Sequence, residues 1–182
     1  MAEFFGPRKH NDPLARVVLV EPLIPENTGN VARTCVGTES ELHLVEPMAF
    51  EITESRVKRA GLDYWQHLHW QKHSSFEAWR EVADSQPRAT TLDPGTVYFI
   101  ETTGTKSLYE VEFQRGDWIV FGKETSGLTE SQMRGNDAPR KSQTIFIPMP
   151  GQTRSLNLSN AVAIVVFEVL RQTTHQPSTT QA

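Results

Sequence analysis

The chain has 182 residues, a net charge of −4 and a single cysteine, Cys35. That length suits one domain with tails and a core large enough to fold without staples, and one cysteine excludes an intramolecular disulfide and any multi-cysteine zinc site. The acidic balance argues against a globally basic nucleic-acid binder but leaves local basic patches open.

Residues 1–15 are polar, broken by proline and glycine, and basic at Arg8, Lys9 and His10; they read as a flexible arm. Met1 to His10 has no continuous apolar stretch of the kind a secretory signal needs. Residues 16–172 read as one domain without repeat or linker. Val17–Val20 is a β-branched strand candidate. A loop from Pro22 follows, with Asn27 or Thr28 placed to cap a helix that runs to Gly37. Leu42–Val45 is a second strand, Ser55–Ala60 a helix stopped by Gly61, and Leu68–Trp70 a third strand. Phe76–Val82 is helical, with Phe76, Trp79 and Val82 at helical spacing. Val97–Ile100 and Trp118–Phe121 are apolar strands, Thr129–Met133 a short helix and Ile145–Ile147 the last strand. Leu156–Arg171 is a long apolar helix containing the most hydrophobic run, Ala161 to Val166, far short of the roughly 20 residues that span a bilayer. Residues 173–182 hold no large apolar side chain and read as a disordered tail. The expectation is a cytoplasmic protein with no membrane partner.

Apolar strands alternating with helices predict an α/β fold, a parallel sheet with helices on both faces. Ligands on such sheets bind beyond the carboxyl ends of the strands. Three strand-end loops carry unusual residues. Glu26-Asn27-Thr28-Gly29-Asn30, followed by Arg33, joins a helix start to an arginine; this suits an anion such as phosphate, or plain capping beside a solvated arginine. Phe121-Gly122-Lys123-Glu124-Thr125-Ser126-Gly127 has two glycines five apart, but Leu128-Thr129 follows, so the P-loop requirement fails. Gly122 still permits close backbone approach to a ligand, or serves an ordinary turn. Ile147 to Asn160 leads two prolines and a glycine into Arg154, Ser155, Asn157, Ser159 and Asn160, more polar residues than one helix cap needs.

Other groupings are weaker. His67, His69 and His73 lack a carboxylate to complete a metal site and are expected on the surface. Cys35 is expected in the core. Arg56, Lys58 and Arg59 form a solvated helix face or an RNA-contacting edge. Arg134, Arg140, Lys141 and Arg154 are opposed only by Asp137 over their stretch. No nucleophile elbow, His-Glu-x-x-His pair or dinucleotide fingerprint occurs.

Taken together, Asn27-x5-Arg33, Phe121-Gly122-x-Glu124-x-x-Gly127-Leu128, and Ile147-Pro148-Met149 leading to Ser155-x-Asn157-Leu158-Ser159-Asn160 resemble the three motifs of the SpoU branch of the SPOUT RNA methyltransferases, in order and spacing. Arg59-Ala60-Gly61-Leu62-Asp63-Tyr64, after Glu46-Pro47-Met48, is similar to the small subfamily that 2′-O-methylates the wobble nucleotide of tRNA. The resemblance spans residues 16–172.

That resemblance implies a C-terminal deep trefoil knot in the α/β sheet, S-adenosylmethionine as cofactor, no metal, the tRNA anticodon stem-loop as partner, and a homodimer. The first and last helices would pack across the dimer interface, with Val162, Val166 and Val169 or nearby positions facing the partner. Three loops would hold the cofactor: Glu101, Thr102 and Thr103 after Ile100; the Gly122 loop; and Ile147, Met149, Ser155, Leu156 and Asn160, the last also bracing the knot. In the family the arginine matched by Arg33 is the proposed base; an ordinary arginine stays protonated, so positioning of phosphate or the 2′-oxygen is the role assigned to it. Asn27 would fix Arg33 or the third loop, Glu124 would orient Arg33 or Asn157, and Ser155 and Asn157 would position ribose and cofactor. Two departures stand out: Met149-Pro150-Gly151-Gln152-Thr153 is an unusual Pro-Gly variant, and Phe167 stands where some relatives carry tyrosine. The competing readings are methylation of another tRNA or rRNA ribose, a non-catalytic RNA-binding knot protein, and a phosphate-binding α/β enzyme.

Overall fold

The computed structural model describes residues 11–52, 63–88, 93, 95–134 and 141–174. The expected helix Ser55–Ala60, with Arg56, Lys58 and Arg59, lies outside them, as do Asp137, Arg140 and most of the arm and tail. Seven strands form one sheet: β1 (Ala15–Val20), β2 (Glu41–Val45), β3 (Trp70–His73), β4 (Val97–Ile100), β5 (Lys106–Ser107), β6 (Asp117–Phe121) and β7 (Ser142–Phe146). Their order is β3-β2-β1-β6-β4-β7-β5, and every neighbouring pair is parallel. Among the described residues four α-helices flank the sheet: α1 (Pro25–Gly37), α2 (Phe76–Ser85), α3 (Glu130–Met133) and α4 (Leu158–Thr174).

Side chains alternate across a strand, so the central strands feed two cores. Val17 and Leu19 of β1 join Val31, Ala32 and Cys35 of α1 and Val162, Val165, Val166 and Val169 of α4 on one face. Val18 and Val20 join Trp79 and Ala83 of α2 and the indole of Trp118 on the other. A strand covered on both faces favours apolar residues on both, which is why Val17–Val20 reads as an unbroken run. Each large side chain fully buried here contributes about 1.5–3 kcal/mol. Ser75 caps α2, its hydroxyl accepting from the Ala78 N–H at 3.2 Å.

Several expectations are corrected. The helix α1 starts at Pro25, with Ile24 at the N-cap, so neither Asn27 nor Thr28 caps it; proline at the first helical position has no N–H to leave unpaired. The third strand is Trp70–His73, not Leu68–Trp70, because Leu68 drops into the core from a 3-10 turn at Asp63–His67. The seventh strand ends at Phe146, and Ile147 already belongs to the loop. The last helix begins at Leu158. Val162, Val166 and Val169 are fully buried within the chain and face no partner. His73 is not on the surface: it is buried, with its Nε2 3.0 Å from Nδ1 of His43. Burial lowers both imidazoles, His73 to about 4, where His43 adds to the effect. Cys35 is in the core as expected, and burial pushes its thiol far up. Among the described residues no helix is long and apolar enough to cross a membrane, and no group of His, Cys, Asp or Glu is placed to hold a metal.

Candidate active site

The carboxyl ends of β6, β4 and β7 lie side by side, with Ile100 opposite both Phe121 and Ile145. The loops leaving these three strands enclose a cavity of about 390 Å³. Its apolar walls come from Ile100, Phe121, Ile147, Met149 and Leu156, and its polar lining includes Thr102, Ser126 and Ser155. Gly122 is required by contact: a Cβ there would sit 2.1 Å from the carbonyl carbon of Gly127. Gly127 has φ +67°, and a Cβ on it would meet the Glu101 carboxylate at 2.4 Å. Glu101 lines the cavity, but its carboxylate accepts the Leu128 N–H and so pins the second loop. Burial raises the Glu101 carboxyl, against the lowering pull of the Leu128 and Thr102 N–H groups.

Beside the cavity a relay joins the ends of the chain. Glu124 accepts from the backbone N–H of Leu23 at 2.9 Å, that of Ile24 at 3.2 Å, and the Asn27 side-chain amide at 3.1 Å. Asn27 Oδ1 in turn accepts from Asn157 Nδ2 at 3.0 Å. Asn157 Oδ1 accepts from the Ser159 N–H at 2.9 Å, the Ser159 hydroxyl at 2.7 Å and the Asn160 N–H at 3.4 Å, which caps α4. Amide orientation follows from this chemistry, since a carboxylate can only accept and must face the Asn27 NH₂. Burial raises the Glu124 carboxyl, but the N–H groups of Leu23 and Glu124 itself, the Asn27 amide and the Ile24 N–H outweigh it, and the net value is lowered. Of the two partners expected for each residue, Asn27 holds the third loop and Glu124 acts on Asn157 through Asn27; Arg33 is not part of this chain of bonds.

Arg33 is exposed, with its guanidinium carbon 4.8 Å from the centroid of the Tyr64 ring. Of the residues the resemblance assigns to the cofactor, Glu101, Thr102, Gly122, Ile147, Met149, Ser155 and Leu156 line the cavity, and Thr103 and Asn160 do not. Sequence reasoning left three residues without a role. Lys123 lines the cavity and pairs with Glu21, a residue with φ 51° at the end of β1. Arg154 stands exposed at the rim. Tyr64 lies under Arg33. The signals were present: Arg154 sits in the polar run of the third loop, and Tyr64 ends the Arg59–Tyr64 stretch.

The profile of the SpoU rRNA methylase family matches residues 15–167. The chain belongs to that family. Among its SpoU relatives, the tRNA (cytidine(34)-2′-O)-methyltransferase of Burkholderia pseudomallei (strain 1106a) is 43% identical over 156 residues, covering 86% of this chain and 94% of the relative. The protein of the same name from Escherichia coli (strain K12) is 40% identical over 159 residues, covering 87% and 94%. A solved structure described as "Structural insights into the 2-OH methylation of C/U34 on tRNA" superimposes with a TM-score of 0.75 at 40% identity, over 89% of this chain and 97% of that one.

Proposed function

We propose that this SpoU methylase transfers a methyl group to the ribose 2′-hydroxyl of the wobble nucleotide of tRNA, a cytidine or uridine, with S-adenosylmethionine as donor. The observation that carries the reading is the Glu124–Asn27–Asn157 relay, which ties all three motif loops together at one cavity. The relatives named for position 34 are matched over nearly their whole length, which supports the choice of nucleotide.

The cavity suits the cofactor on an observation of its own. Gly122 and Gly127 both line the cavity, so at these two positions its wall is backbone and not side chain. Ile100, Phe121 and Leu156 would flank a purine, and Thr102, Ser126 and Ser155 would meet its polar groups. Bound S-adenosylmethionine supplies an electrophilic sulfonium methyl. A ribose hydroxyl is a poor nucleophile until its proton is taken or shared, so the chain must aim it and hold it. Ser155 and Asn157 are the groups assigned to that aim. Arg33 offers N–H donors and no acceptor, which suits gripping an RNA phosphate or the 2′-oxygen. Arg154 at the cavity rim adds a second cation for the RNA backbone.

The same reading places the protein in the cytoplasm as a homodimer, with the segment from Ile147 onward threaded as a knot. Exposed Phe167 (56%) and Ile164 (37%) on α4, with Ile24 (42%) just ahead of α1, support a dimer face. The packing of α1 beside α4 and the Asn27–Asn157 bond support the threading.

Calorimetry with S-adenosylhomocysteine and 2′-O-methyl mapping of tRNA from a deletion strain test the reading. Absence of binding sinks the methyltransferase assignment; retained wobble methylation with loss elsewhere moves the target to another ribose. Arg33→Ala is expected to lower turnover by about a hundredfold or more with cofactor affinity kept.

A further inference from the structure

We propose that Tyr64 is a positioning residue that fixes the direction of the Arg33 guanidinium. The proposal rests on the reading of Arg33 given above. Tyr64 grips α1 twice. Its hydroxyl donates to the Gly29 carbonyl at 2.8 Å, and its ring carries the Arg33 guanidinium 4.8 Å above its centre. Gly29 and Arg33 are four residues apart, so they stand one above the other on the same helix face. One rigid side chain therefore spans the turn that ends in the arginine.

The kind of contact matters. An arginine that must grip an anion has to be held without using up its donors. A carboxylate partner would occupy the N–H edge and cancel the charge. A ring beneath the plane takes the face of the guanidinium and leaves the N–H edge free. Among the described residues Arg33 has no carboxylate partner, and the Tyr64 ring is the contact that restrains it. Tyr64 is itself well founded. Its neighbour in the 3-10 turn, Trp65, packs edge-on against Trp70 of β3 at 5.7 Å, and Leu68 just beyond is buried. The position of β3 and its core is thus carried to the arginine through a short, stiff path.

The test compares Tyr64→Leu and Tyr64→Phe, each in the native and in the Arg33→Gln background. The readouts are single-turnover rate, KM for tRNA, S-adenosylhomocysteine affinity and melting temperature. Tyr64→Leu is expected to lower kcat/KM for tRNA by about two- to thirtyfold, the range of a stacking contact to a cation, with cofactor affinity unchanged. Tyr64→Phe keeps the ring and is expected to stay within about twofold. In the Arg33→Gln background Tyr64→Leu is expected to cost nothing further. An equal loss in both backgrounds, or a loss that follows melting temperature and cofactor affinity, overturns the proposal in favour of a structural role. Unchanged turnover in Tyr64→Leu overturns it as well. Full activity of Arg33→Gln overturns the reading of Arg33, and this inference with it. Should Tyr64→Leu fail to fold, Tyr64→Gln serves the same comparison.

Discussion

Alanine at Glu124 removes the acceptor for three donors, the N–H groups of Leu23 and Ile24 and the Asn27 amide. Hydrogen bonds to an ionised group contribute roughly 1.5–3 kcal/mol each when shielded. This carboxylate is partly exposed and water replaces part of the loss, so the total is about 2–3 kcal/mol. A chain of this size loses about 2–4 °C per kcal/mol, which predicts a melting temperature lower by about 4–12 °C. Asn27 then has no anchor, Asn157 drifts, and turnover falls by about tenfold or more. Glu124→Gln keeps the shape but turns one acceptor into a donor facing donors, and is expected to lose about half as much stability. The pH dependence has a definite sign. The folded carboxyl lies below its ordinary value of 4.5, so the unfolded chain takes up the proton first. The contribution of Glu124 is complete above 4.5 and is lost as pH falls through the folded value. Melts of the native protein and Glu124→Gln, from neutral pH to about pH 3, are expected to converge in that acid range. Equal melting temperatures at neutral pH together with unchanged turnover would refute the relay.

Gly122→Ala is expected to push the second loop off the Gly127 backbone, costing about 1–3 kcal/mol and reducing S-adenosylhomocysteine affinity by about tenfold or more in calorimetry. Retained affinity would show that the cradle does not hold the cofactor. Phe167→Glu places a charge on the exposed apolar patch of α4; sedimentation is expected to show a monomer, and an unchanged dimer would place the interface elsewhere.

The sheet was legible where strands are covered on both faces. Val17–Val20 and Trp118–Phe121 are apolar at every position, and Leu42–Val45 at all but the buried His43, so their runs stand out. The edges were not. Gln71 and Lys72 of β3 are exposed, so that strand leaves no apolar signature, and the two residues of β5 leave none at all. Asn27 was misread for a different reason. Its side chain is the right type for a local cap, but its partners lie 97 and 130 residues away, and no local pattern reports a contact across that distance. The motifs named the site residues without saying which bonded to which; the geometry chose Asn157 over Arg33 as the residue Asn27 holds.

The position of β6 has a consequence for synthesis. In the sheet this strand lies between β1, with β2 and β3 beyond it, and β4, with β7 and β5 beyond it. Until Asp117–Phe121 leaves the ribosome, the nascent chain carries one piece of sheet, β1 with β2 and β3, whose inner edge stays open along an apolar strand, while β4 and β5 wait for β7, which is made later still. Such edges invite association with other chains. Parallel neighbours separated this far in sequence also pair slowly. Premature termination before Asp117 is therefore expected to yield association-prone fragments as well as inactive ones.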